Sequence, residues 1–364
     1  MFVSTLIQHK RLSLTSLGRL ADLPVQEHSG IRRADRFLSN NKLHEEREII
    51  YKIIANKLIG NNKHPHIIVD WSVIPNTTHQ LLRAALVTKG RALSLYEEVH
   101  VGDALGTQKV HNAFLDKLKS FLPKECKPTI ITDAGFTNYW FKKVIAIGWN
   151  FVGRIRGLKC IQVKDTGWIL SSKLIAIKPL APKYLGLANI CRVNTLTAHL
   201  FSFKAKKKGR IALNKFGEKR KSARSIEYSK GAKEGWLLVS SLSKGNNLAK
   251  KVIKKYSLRM QIEEGFRDLK STRFGFGLTE ARSKNIKRIE ILLLIAMLAS
   301  LIAWITGYII ESMGLHYQFQ SNSQKNKRVL SLFFLGCQAI RRKIKIPITY
   351  LFADERRECL NAIF

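Results

Sequence analysis

Two short apolar runs that each end on an aspartate, HIIVD at 66 to 70 and PTIITD at 128 to 133, set the strongest limit on what this chain can fold into. They are too short for helices and too apolar for loops, so each reads as a buried strand with a carboxylate at its carboxyl end. Between them, LLRAALVT at 81 to 88 and ALSLYEEV at 92 to 99 flank a turn at Lys89 and Gly90 and read as a hairpin. A helical stretch follows at about 108 to 121, then the second acid-ended strand, a helix near 137 to 147 and a strand at 150 to 156.

Strand, strand, strand, helix, strand, helix, strand is the order of a ribonuclease-H-like α/β fold, a mixed sheet flanked by helices. The rest of the 364 residues suggests four further parts. Residues 1–60 read as helical, with two short helices either side of a turn near Asp22 to Val25, which fits a helix-turn-helix-like DNA-binding domain and equally a small helical bundle with a solvated basic face. Arg32, Arg33 and Arg36 fall within one turn of the second helix. Residues 61–156 read as the first part of this α/β domain, and 157–245 as an inserted β-rich subdomain with basic loops at 204 to 210 and 219 to 224. Residues 246–312 read as the second part of the α/β domain, and 313–364 as a short helical tail.

Lys and Arg number 63 against 26 Asp and Glu, a formal charge of +37, and the excess is spread along the chain. A folded surface this positive suits a polyanion, nucleic acid before an anionic membrane. Five cysteines without a CxxC pair indicate neither a disulfide framework nor a zinc ribbon. The N-terminus, MFVSTLIQHKRLSLTSL, has no secretory pattern, so a cytoplasmic location is expected. Ile291 to Ile310 is twenty residues without a formal charge, long enough to cross a bilayer. Thr306 and Gly307 interrupt it and Glu290 and Glu311 flank it, which favours a buried core helix and no membrane partner.

Asp70 and Asp133 at strand ends fit ligands of Mg²⁺ or Mn²⁺, and equally fit acids that start a turn. The third acid comes from YSLRMQIEEGFRDLK, where Tyr256, Arg259, Glu263 and Lys270 fall at offsets 0, 3, 7 and 14. That spacing predicts one face of a single helix running from about 247 to 270. A carboxylate there can complete a metal site while the cations hold phosphates on either side. Arg259 with Glu263 also fits an ordinary i,i+4 pair on a solvated helix.

DWS at 70 to 72, TDAGF at 132 to 136 and the Y-(2)-R-(3)-E-(6)-K spacing at 256 to 270 together resemble the DDE transposases of bacterial insertion sequences. Within these the chain looks like the family-four, cut-and-paste group, with further likeness in VGRIRG at 152 to 157 and EGWLLVSSL at 234 to 242. The resemblance implies that Asp70, Asp133 and Glu263 bind two Mg²⁺ or Mn²⁺ ions, with Glu263 taking precedence over Glu264. It further implies that Tyr256, Arg259 and Lys270 contact phosphates near the cleaved end, and that Trp236 stacks on a flipped base. The implied partners are double-stranded DNA, as the element's terminal inverted repeats and as target, and a second copy in a synaptic dimer. The implied location is the bacterial nucleoid. The alternatives are a structure-specific metal-dependent nuclease of the same fold, or a truncated, inactive copy that only binds DNA.

Overall fold

A computed structural model describes residues 1–164, 166–176, 178–206, 218, 234–243, 245–324 and 327–347. The basic loop at 219 to 224, most of that at 204 to 210, Cys359 and the end of the expected tail lie outside these residues.

In chain order the elements are α1 (Phe2–His9), α2 (Leu14–Arg19), α3 (Glu27–Leu38), α4 (Asn41–Ile59), β1 (His66–Val73), β2 (Gln80–Val87), β3 (Ala92–His100) and α5 (Gln108–Phe121). Then come β4 (Thr129–Thr132), α6 (Asn138–Ala146), β5 (Asn150–Ile155), β6 (Cys160–Val163), β7 (Ile169–Leu170), β8 (Leu180–Ile190), β9 (Leu196–Lys204) and β10 (Trp236–Ser240). Four helices follow: α7 (Leu248–Ser257), α8 (Met260–Lys270), α9 (Ile286–Ser312) and α10 (Leu332–Arg341). Two compact units result, residues 1–126 with 260–364, and residues 127–259.

In the first unit β1, β2 and β3 form an antiparallel meander. Lys89 and Gly90 make its second turn as expected, Gly90 taking a positive φ of 76°. The two helices expected near the N-terminus are α2 and α3. Ser13 caps the first by accepting from the Ser16 backbone N–H at 3.2 Å. The helices cross at paired glycines: a Cβ on Gly30 would stand 2.4 Å from the Gly18 carbonyl oxygen, so any larger residue separates them.

The long apolar segment is α9. An 18-residue window of mean hydropathy 2.4 would suit a bilayer, yet 61% of that window is buried by protein, as expected of a core helix. It packs against α1, β3 and α10. Against α10 the backbones touch, because a Cβ on Gly336 would fall 1.7 Å from the Ala303 carbonyl oxygen.

The second unit is a mixed sheet in the order β4-β5-β10-β9-β8-β6-β7. β4 and β5 are parallel, joined through α6, and the remaining pairs are antiparallel. The β-rich character expected of 157–245 is present in β6 to β10. The mixed α/β class and the element order over 66 to 155 therefore match the expectation, with helices flanking the strands of each unit.

Candidate active site

β1 is buried from His66 to Val69 and surfaces at Asp70. The strand does not end there: β2 is long enough to keep pairing, from Asp70↔Arg83 to Val73↔Gln80. The acid thus sits mid-strand, where burial stops. Asp70 is half-buried, and its Oδ1 accepts from the Trp71 backbone N–H at 2.9 Å.

Glu263 stands exposed in the first turn of α8, which packs on β1 and β3. Its neighbour Glu264 is turned elsewhere, into an ion pair with Arg91. At the far end of α8, the half-buried Lys270 ammonium donates to Ser72 Oγ at 2.7 Å and to the Val73 carbonyl at 2.5 Å. Burial, helped by the charge of Arg83, pushes its pKa down to about 8. Lys270 therefore ties its helix to the strand that carries Asp70.

In the second unit Asp133 follows β4 directly. Its Oδ1 accepts from the Gly135 backbone N–H at 2.8 Å, the tight turn that an acid after a strand makes. Tyr256 is only 3% exposed. It meets the Trp236 ring edge-on at 4.9 Å, and the Arg259 guanidinium lies 6.0 Å from its ring centre. Burial raises the Tyr256 pKa, while Arg259 and Arg154 oppose the rise and Asp133 adds to it. Trp236 is half-buried and also contacts Phe203, at 5.5 Å.

The single helix expected from 247 to 270 is two. α7 ends at Ser257 and α8 begins at Met260. Between them Leu258 N–H donates to the Lys255 carbonyl at 3.2 Å and Arg259 N–H to that of Tyr256 at 3.0 Å. These i→i−3 bonds tighten the last turn and end the helix without proline or glycine. The four signature residues consequently lie on two helices and a turn, not on one continuous stripe. Arg32, Arg33 and Arg36 are all exposed on α3.

Three carboxylates, none of them buried, are the hard oxygen donors that a divalent cation prefers. Among the described residues, no three His, Cys, Asp or Glu side chains are already grouped to hold a metal ion. Asp70 and Glu263 belong to the first unit and Asp133 to the second.

Residues 61–301 match the family described as the transposase DDE domain. The chain belongs to the DDE transposases. That family acts on DNA with divalent metal ions, and the matched span contains all three acids. No curated protein sequence matches this transposase. Among solved structures it is similar to the piggyBac transposase in a synaptic complex with hairpin DNA, at 13% identity and a TM-score of 0.44, covering 100% of this chain and 73% of that one. A likeness that weak supports nothing further.

Two features of the transposase were not visible in the sequence. Arg83 lies opposite Asp70 in one strand register and opposite Glu97 in the next, so the three form a row across β1, β2 and β3. Glu97, 1% exposed, accepts from Arg83 Nε, from the Tyr51 hydroxyl at 2.9 Å and from Ser94 Oγ at 3.1 Å. The second feature involves His100 and His111, which lack any ligand spacing yet meet around Trp71. The Trp71 indole N–H donates to His111 Nε2 at 3.0 Å, and His100 lies 5.7 Å from the Trp71 ring.

Burial, with the charge of His100, pushes the His111 pKa down from 6.5 to about 4. Between these values the unfolded chain binds the proton and the folded chain does not, so stability falls as pH drops from 6.5 toward 4. A full shift of this size is worth on the order of 3 kcal/mol. Thermal melting from pH 7 to pH 4.5 should show this loss, and His111→Gln should flatten it.

Proposed function

We propose that this chain is an insertion-sequence transposase of the family-four, cut-and-paste type. In this reading it binds the terminal inverted repeats of its element, cleaves the DNA there and joins the ends to target DNA. The observation that carries this is the match to the transposase DDE domain over 61–301, a span that includes Asp70, Asp133 and Glu263. These three would hold Mg²⁺ or Mn²⁺, two ions in all. When bound, the ions supply the electrophilic stabilisation that in-line displacement at phosphorus needs at both the attacking and the leaving oxygen.

The chain's own residues bind and orient the DNA. Arg259 and Lys270 bring cations to the phosphates beside the scissile bond, and Tyr256 backs Arg259 from its buried position. A phosphate next to Lys270 would return its ammonium to a fully charged state. Trp236, with one side packed on Tyr256 and Phe203, would stack a flipped base on the other. Arg32, Arg33 and Arg36 project from α3 as a helix reading the major groove would present them. The terminal repeats would be bridged by a dimer, in the nucleoid of a bacterial cytoplasm.

Because the charge excess is spread over the chain, affinity should come largely from phosphate contacts. With six or more phosphates neutralised, binding measured by fluorescence anisotropy should weaken by about 10³ or more between about 50 and 200 mM salt. Removal of residues 1–60 should cost sequence preference more than overall affinity. The deciding experiment incubates the full chain with Mg²⁺, duplexes carrying the repeats found beside its reading frame, and a target plasmid. Cleavage followed by joined products supports the reading. Cleavage of branched DNA without joining would point to a nuclease, and binding without cleavage to an inactive copy.

A further inference from the structure

The buried charge that this chemistry leaves unused lies beneath α8. Arg91 closes the turn between β2 and β3 and is 9% exposed. Its Nε donates to Asp268 Oδ2 at 2.6 Å, and its Nη1 donates both to Glu264 Oε2 and to the Gly90 carbonyl, the latter at 2.9 Å. Glu264 and Asp268 are one helical turn apart on α8, and Asp268 is itself 6% exposed. Glu263 lies one residue back along the helix, about 100° round its axis, and faces solvent.

Apolar packing alone would let such a helix rotate or slide by a fraction of a turn. Two acids a turn apart on one buried guanidinium remove both freedoms, since the planar fork offers its donors in fixed directions. Phe266 under the Arg83 guanidinium at 4.8 Å and Lys270 on β1 hold the same helix further along. The Arg91–Asp268 pair is buried on both sides while the Glu264 side chain is 40% exposed, and a buried ion pair contributes orientation more readily than stability.

We infer that Arg91 is a positioning residue that sets the rotation of α8 and hence the direction in which Glu263 is presented. The inference rests on the reading of Glu263 as a metal ligand. The test uses the full chain, a triple variant (Arg91→Met, Glu264→Gln, Asp268→Asn) that leaves no buried charge unpaired, and Arg91→Lys, which keeps the charge but not the fork. Mn²⁺ affinity is measured by calorimetry, alongside thermal melting and DNA cleavage. The triple variant should melt close to the parent yet bind Mn²⁺ about tenfold or more weakly, the usual effect of losing a group that orients a ligand. Arg91→Lys should show the same loss, and it decides the matter if the triple variant does not fold. Parental Mn²⁺ affinity in a folded variant overturns the inference. Glu263→Gln keeps the two readings apart: if it binds Mn²⁺ like the parent, the metal-ligand reading fails and the inference falls with it.

Discussion

Glu97→Ala is expected to destabilise the first unit by about 3–5 kcal/mol, measured as a lower urea midpoint at unchanged slope. The substitution removes the carboxylate that Arg83 and Tyr51 donate to, in a place where water cannot replace it. Arg47 keeps its contacts in the variant, since its Nη1 donates to the Glu97 main-chain carbonyl at 2.8 Å and its Nη2 pairs with Glu290 at 3.1 Å. Removing both charges together, as in Arg83→Met with Glu97→Leu, should recover most of the loss, because no buried charge is then left unpaired.

Glu263→Gln should abolish metal-dependent DNA cleavage, by about a thousandfold or more if the three acids act as one unit. The change keeps shape and removes one charge at an exposed position, so melting should hardly move. Glu264→Gln is the contrasting case. Its carboxylate is engaged by Arg91, so its loss should lower stability, and with Asp268 still held by Arg91 it should cost far less cleavage than the loss of Glu263. Comparable cleavage in the two variants would show that the sequence spacing had chosen the wrong acid.

The strands were legible because each is an apolar run closed by a polar residue, and the helices because their caps and turns use Ser, Pro and Gly in ordinary ways. The turn at Lys89 and Gly90 and the turn near Asp22 to Val25 are cases in point. Glu263 was singled out by its spacing to Tyr256, Arg259 and Lys270, and the structure places it exposed in the first turn of α8. The break at Leu258 and Arg259 was not, since SLRM contains nothing that opposes a helix, and only i→i−3 bonding ends α7 there. Nor was the row of Asp70, Arg83 and Glu97. The arginine and the glutamate look like surface charges inside strands that are otherwise apolar, and only the register of three strands places them side by side. Arg91 was missed for a related reason. Its partners lie more than 170 residues further on, at Glu264 and Asp268.

The most direct measurement of the central claim is cleavage of element-end DNA by Asp133→Cys, with Mg²⁺ and then with Mn²⁺. A thiolate is a poor ligand for hard Mg²⁺ and a better one for the softer Mn²⁺. If Asp133 shares a metal site with Asp70 and Glu263, the variant should be inactive in Mg²⁺ and regain cleavage in Mn²⁺, while the parent works in both. Parental cleavage by Asp133→Cys in Mg²⁺ would contradict the account.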